Sequence, residues 1–216
     1  SLMWGNRNGL LEDLFEFARS SPNVILELKT KSAVTEWSRT LAVPPNVITT
    51  WSLNAPTVIR HEEHRTAPLE ARIAAAQRIR DRGGLVGFHF HPMVCFEGWE
   101  EEYTAAAETL QERFDPELTV MVSIGTLTFI RPVLKKLRET GIPSKVLQIP
   151  LSDSAGKFTY PEETKLRLFS HLFSSFNREW QERVFFYLCM EPHTLWERVL
   201  GRSYADNNAF EADMKS

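Results

Sequence analysis

The sequence predicts an α/β fold whose parallel sheet is curved as a partial TIM barrel. Three observations carry that expectation. Short apolar or β-branched runs alternate with amphipathic stretches along nearly the whole chain, the pattern of repeated strand-helix units with right-handed crossovers. Proline and glycine cluster between these runs, as at Pro44-Pro45 and Gly83-Gly84, and so mark the connections. Only about five or six strands can be counted, fewer than close a barrel, and the first element is a helix with no strand before it.

Asn6 or Asn8 can cap that first helix, whose apolar residues are Leu10, Leu11, Leu14, Phe15 and Phe17. Val24 to Lys29 reads as a strand leading into Thr30-Lys31-Ser32, and a helix is expected from about Ala33 to Leu41 on the spacing of Val34, Trp37 and Leu41. Val47 to Leu53 is rich in β-branched residues and predicts the second strand, ending at Asn54-Ala55-Pro56. The polar segment Arg60 to Arg65 then precedes a helix that Pro68 starts and Gly83-Gly84 stops, with Leu69, Ile73, Ala76 and Ile79 or Arg80 turned inward.

Leu85 to His91, bracketed by Gly84 and Pro92, is long enough for a buried strand and too short for a helix. Pro92 has no amide hydrogen and is expected to stop sheet pairing. Trp99 to Phe114 resumes at helical spacing, Leu118 to Ile124 predicts a fourth strand, Pro132 to Glu139 a short helix, and Val146 to Ile149 a weaker strand. Ser152 to Lys157 reads as an exposed loop. Pro161, followed by Glu162 and Glu163, starts a helix with Leu166, Phe169, Phe173 and Phe176 as its buried stripe. Val184 to Leu188 is the last strand and Leu195 to Leu200 the last short helix. One unit over residues 1–204 is expected, followed by a polar, mobile tail over 205–216.

Bulk composition excludes several classes. With 43% hydrophobic and 25% charged residues, and no apolar run of about eighteen, the chain reads as a globular domain that does not span a membrane. The opening Ser1 to Gly5 has neither the basic nor the apolar region of a secretion signal, and a cytoplasmic location is expected. Two cysteines, Cys95 and Cys189, cannot build a disulfide framework and suit a reduced compartment. The formal charge of -3 gives no general attraction to polyanions, so nucleic acid would need a local patch such as Arg78, Arg80, Arg82, Lys135, Lys136 and Arg138.

In parallel α/β sheets the site lies at the carboxyl ends of the strands, because the helices pack back along the sheet and leave that end open. His89 and His91 share a face at such an end. With Cys95 and Glu97 nearby they can be read as ligands of a metal-dependent enzyme, although the spacing fits no established pattern and no metal site is assigned. A third reading is a noncatalytic binding module. Lys31 at a strand end is a charge that is hard to bury without an anionic partner, and Ser52 with Asn54 can form a turn before Pro56.

Several segments together resemble one family. They are Ile25-Leu26-Glu27-Leu28-Lys29-Thr30-Lys31-Ser32, Ser52-Leu53-Asn54, Thr66-Ala67-Pro68-Leu69-Glu70-Ala71-Arg72-Ile73, Gly87-Phe88-His89-Phe90-His91-Pro92, Glu97-Gly98-Trp99-Glu100-Glu101-Glu102-Tyr103 and Gly156-Lys157-Phe158-Thr159-Tyr160. In this order they look like the later part of a spore photoproduct lyase, the radical S-adenosylmethionine enzymes that reverse a thymine photoproduct in DNA. The resemblance implies a partial barrel, a [4Fe-4S] cluster in the full-length protein, adenosylmethionine across the strand ends, and DNA as partner. By position it implies Lys31 at the methionine carboxylate, Ser52 and Asn54 at the methionine or ribose, and backbone near His91 beside the adenosine. No catalytic residue is assigned.

The sequence departs from that pattern twice. It lacks the C-x-x-x-C-x-x-C run that holds such a cluster, and Ser152 to Ala155 leaves little room for the family's lesion-binding hairpin. The expectation is therefore a carboxy-terminal portion, inactive alone, whose partner is the missing amino-terminal part of the same enzyme. The exposed sheet edge would favour self-association.

Overall fold

The computed structural model describes residues 2, 5–141, 144, 146, 150–154 and 156–215. Its strands are β1 (Leu26–Thr30), β2 (Val47–Leu53), β3 (Leu85–Met93), β4 (Thr119–Thr126), β5 (Thr128–Ile130), β6 (Ser152–Ser154), β7 (Lys157–Thr159) and β8 (Phe185–Leu188). Five of them form a parallel sheet in the order β1-β2-β3-β4-β8, and β5-β7-β6 form a small antiparallel one. The α/β architecture with its parallel sheet is the one the sequence predicts.

Spatial order follows chain order, so every crossover steps the same way, and right-handed crossovers place the connecting helices on one side of the sheet. Alternation along the strands agrees. Trp51, Leu53, Phe88, Phe90, Val122, Ile124, Phe186 and Leu188 belong to the apolar core. Their alternates on the opposite face include Glu27, Lys29, Thr50, Ser52, His89, His91 and Ser123. A sheet that is greasy on one side and polar on the other fixes where chemistry can sit. Gly87 lies in the middle of that polar face, where a Cβ would stand 2.9 Å from Met121 Cγ and 3.1 Å from its carbonyl oxygen, so only glycine lets β3 and β4 approach.

The helices are α1 (Leu10–Ser20), α2 (Pro56–Glu62), α3 (Leu69–Arg80), α4 (Trp99–Arg113), α5 (Arg131–Glu139), α6 (Glu162–Ser175), α7 (Arg178–Arg183), α8 (His193–Leu200) and α9 (Asn207–Met214). Pro68 precedes α3 as expected, and Ile73, Ala76 and Ile79 are buried. Tyr103, Ala106, Ala107 and Leu110 form the buried face of α4, with Glu100, Glu101 and Glu102 at its positive end. Among the described residues no helix is long and apolar enough to cross a membrane.

Local chemistry accounts for the differences from the sequence reading. Between Ala33 and Leu41 there is only a short 3-10 turn, Glu36–Arg39. The hydroxyls of Thr30 and Ser32 accept from the amides of Ser32 (3.0 Å) and Val34 (3.1 Å), which gives the backbone a turn in place of a helix. Pro56 starts α2 where only a polar segment was expected; the Thr57 amide donates to Glu102 at 2.9 Å and so caps the helix from outside. Pro92 does not end β3. The register shifts between Phe90 and Met93, the His91-Pro92 peptide is cis, and Met93 pairs with Thr126 beyond the irregularity.

Ser152 to Lys157 is a hairpin rather than a loop: Ser154 pairs with Lys157, and Asp153 Oδ1 accepts from the Gly156 amide at 2.9 Å. The buried stripe of α6 is Leu168, Phe169 and Leu172, which leaves Leu166 and Phe173 half-buried. In α1, Leu11, Phe15 and Ala18 are buried while Leu10 and Phe17 stay half exposed. Residues 207–214, expected in a mobile tail, coil into α9 behind an Asp206 cap. Phe210 of that helix meets Phe185 and Tyr187 at ring distances of 5.4 and 5.5 Å. The strand expected over Val146 to Ile149 falls largely on residues 147–149, outside the described residues.

Candidate functional site

The residues singled out from the sequence lie at the carboxyl ends of three adjacent strands. Lys31 follows β1, Ser52 and Asn54 close β2, and His91 stands near the end of β3. Glu63 and Arg72 tie them together. Glu63 pairs with Lys31 and takes Arg72 Nη2 at 2.7 Å. Arg72 has no exposed surface; it also donates to the Ser52 carbonyl at 2.8 Å, the Ala67 carbonyl at 2.7 Å and Thr66 Oγ1 at 2.7 Å. Burial pushes the Glu63 carboxyl up, but Lys31 and Arg72 outweigh it and hold the group below the ordinary range.

Asn54 completes the knot. Its Nδ2 donates to the Pro92 carbonyl at 2.8 Å and to Glu63 at 3.3 Å, and its Oδ1 accepts from Tyr103 at 2.7 Å and from the Ala55 amide at 3.0 Å. All four hydrogen-bonding capacities of the amide are thus used inside the protein, which makes Asn54 a strut between the ends of β2 and β3. The His91 ring lies against Gly125, where a Cβ would come within 3.0 Å of it. Burial, then the charges of Lys29 and His89, depress its pKa to about 4, so it is neutral near pH 7.

Two clefts flank the knot. One, of about 500 Å³, is bordered by His91, Thr126, Phe129, Ile130, Lys157, Cys189 and Met190. The other, of about 300 Å³, opens at the end of β1 between Lys29, Lys31, Ser32, Arg65 and Thr66. Below the mouth, on the polar sheet face, the buried His89 places Nε2 2.6 Å from Glu27 Oε1 and Nδ1 3.0 Å from Lys29 Nζ. Thr50 donates to the same Glu27 oxygen at 2.6 Å. Burial lowers the pKa of His89, and Lys29 lowers it further against the pull of Glu27. Both ring nitrogens are engaged, and among the described residues no three His, Cys, Asp or Glu side chains gather as a ligand set. The metal reading of His89 and His91 therefore has no geometry to stand on.

Sequence reasoning did not single out Glu27, Lys29, Glu63 or Arg72. Two signals were available. The alternation Glu27-Leu28-Lys29-Thr30-Lys31 puts three charges on one strand face, and Arg72 falls on the inward side of α3 beside Ile73, where a charge requires partners.

A family model described as Spore photoproduct lyase matches residues 9–187. The chain belongs to the spore photoproduct lyase family. A spore photoproduct lyase of Clostridium acetobutylicum is 29% identical over 158 residues, covering 71% of this chain and 44% of that protein. The Bacillus subtilis spore photoproduct lyase is 31% identical over 101 residues, 46% of this chain and 29% of that one. Among solved structures, a mutant spore photoproduct lyase with bound AdoMet and dinucleoside spore photoproduct gives a TM-score of 0.73 at 18% identity, covering 87% of this chain and 58% of its own. Another, complexed with dinucleoside spore photoproduct, gives 0.69 at 19% identity over 83% and 55%. The chain thus spans less than two thirds of each of these relatives.

Spore photoproduct lyases are radical adenosylmethionine enzymes of DNA repair, and the matched segment carries the parallel sheet and the mouth just described. The cluster of such enzymes does not fit the cysteines of this sequence. Cys95 and Cys189 lie after different strands, both half-buried, and burial pushes both thiols up, away from the thiolate that ligates iron.

Proposed function

We propose that this chain is the carboxy-terminal, adenosylmethionine-binding portion of a spore photoproduct lyase-type enzyme that acts on thymine photoproducts in DNA. One observation carries the reading: in a chain of this family, Lys31, Ser52, Asn54 and His91 stand at the carboxyl ends of adjacent parallel strands, joined through Glu63, Arg72 and the Pro92 carbonyl between two clefts. The donor set suits the cofactor. Cations line the β1 cleft for a carboxylate, and the neutral His91 ring with the apolar Phe129 and Ile130 borders the other for a flat base.

Adenosylmethionine supplies the group from which such enzymes generate a hydrogen-abstracting radical. In this reading the cluster comes from an amino-terminal part of the same enzyme, and no step through it is assigned to these residues. What the chain's own residues do is bind and orient. Lys31 stands at the methionine end, Ser52 and Asn54 form the floor, and the His91-Pro92 backbone flanks the nucleoside. For DNA, α5 and β7 offer Arg131, Lys135, Lys136, Arg138 and Lys157 on an exposed surface beside the His91 cleft. Arg78 and Arg82, by contrast, are tied to Thr35 and Ser38, and Arg80 to the Arg113 carbonyl.

Titration calorimetry of adenosylmethionine into the whole chain tests the proposal. The expected result is saturable one-site binding that adenosylhomocysteine competes away, with a raised melting temperature in its presence. A chain that stays folded and gives neither heat nor a thermal shift would overturn it.

A further inference from the structure

Lys31 does not face its cleft as a free cation, because Glu63 neutralises it from one side. Two residues earlier on the same strand face, Lys29 forms no salt bridge among the described residues, although the Glu27 carboxylate acts on it from a distance; its one side-chain hydrogen bond is to Nδ1 of His89, at 3.0 Å. An ammonium can only donate, so Nδ1 is the acceptor and the ring proton sits on Nε2, which donates to Glu27 Oε1 at 2.6 Å. Glu27 is itself fixed by Thr50 at 2.6 Å. The arrangement orients a positive charge with a neutral ring, and so holds it in place without discharging it.

The cleft that Lys29 enters has a matching character. Lys29, Lys31 and Arg65 line it together with Ser32 and Thr66, and among the described residues no acidic side chain does. Arg65 is held in the left-handed region at φ 61° and has no partner among the described residues. Burial, reinforced by Lys31, keeps the Lys29 amine below its ordinary range although Glu27 opposes it, so an arriving anion relieves an unfavourable charge.

We propose that Lys29 binds the oxyanion of the ligand at this mouth, with His89 as its positioning residue and Glu27 as the group that fixes the His89 tautomer. This deepens the adenosylmethionine reading and rests on it for the site's location. The ligand class is a nucleoside that carries an oxyanion, either the carboxylate of an amino-acid substituent or a nucleotide phosphate; both accept charge-assisted hydrogen bonds from an ammonium.

The test is calorimetric binding to the whole chain, in wild type and in the variants Lys29→Met, Lys31→Met, His89→Asn and His89→Leu. The probes are two matched pairs: adenosylmethionine against its carboxamide, in which the carboxylate alone is made neutral, and thymidylyl-thymidine against its methylphosphonate, in which the phosphate alone is made neutral. Lys29→Met is expected to weaken one charged probe at least about tenfold while leaving its neutralised partner unchanged, and Lys31→Met to do so less. His89→Asn, which offers Oδ1 in place of Nδ1, should retain most of the preference that His89→Leu loses. A general packing defect would move both members of a pair together.

Equal affinity of wild type and Lys29→Met for both charged probes, equal losses within a pair, or a larger loss in Lys31→Met would each overturn the proposal. If wild type binds no adenosylmethionine but prefers thymidylyl-thymidine to its methylphosphonate through Lys29, the oxyanion site stands as a phosphate site and the cofactor reading falls. If wild type prefers neither charged probe, both fall.

Discussion

Replacing Arg72 by methionine is expected to destabilise the protein by about 3 to 5 kcal/mol. The guanidinium is wholly buried and makes four hydrogen bonds, to Glu63, Thr66 and the Ser52 and Ala67 carbonyls. Methionine fills much of the volume but leaves a nearly buried carboxylate with only Lys31 and a long bond from Asn54, and removes a donor from the Ser52 and Ala67 carbonyls; stranded buried partners dominate such losses. For a chain of this size the melting temperature should fall by roughly 6 to 20 °C. Thermal and urea unfolding check it, and a loss under about 1 kcal/mol would mean that the knot at the mouth contributes little beyond its volume.

Acid should weaken the fold well above the carboxylate range. His91 ordinarily titrates at 6.5 and here at about 4, with burial as the main cause. Above pH 6.5 both folded and unfolded chains hold it neutral, and the native state has its full stability. Between pH 6.5 and about 4 the unfolded chain takes up the proton first, so stability falls by about 3 kcal/mol across that window. His89, also depressed by burial, acts in the same direction. Glu27 and Glu63 are held below their ordinary value of 4.5, so their contribution is lost only at lower pH. Urea midpoints measured from pH 7.5 to 4 should decline in wild type and flatten in His91→Gln; a flat wild-type profile would contradict the assigned burial of the ring.

Much of the architecture was legible because it rests on local pattern. β2 was read to the residue from its β-branched run, all of it buried, and α3 from Pro68 at one end and Gly83-Gly84 at the other. What was not legible depends on partners remote in sequence or on single side-chain bonds. Two hydroxyls replaced the helix expected after Lys31, Glu102 capped an unforeseen α2, and Asp153 with Gly156 turned a presumed loop into a hairpin. The missing amide of Pro92 predicts the end of a strand, whereas the sheet shifts register around it.

The candidate site divides the same way. Lys31, Ser52, Asn54 and His91 were reached through the family resemblance, and they do lie on adjacent strand ends. Their ionic partners were not reached, because Glu63 and Arg72 meet Lys31 and Ser52 only after α2 and α3 fold back over the sheet. Glu27 and Lys29 looked like ordinary strand charges until β3 brought His89 between them.

The most direct measurement is an amide-resolved NMR titration of adenosylmethionine into the intact chain. Shifts confined to Lys29 to Ser32, Ser52 to Asn54, His91, Met93 and Thr126 to Leu127 are the predicted result, since these backbone segments line the mouth at the carboxyl ends of β1 to β4. Perturbations centred on Leu26, Val47, Leu85 and Thr119 at the opposite ends, or none with saturating ligand, would contradict it.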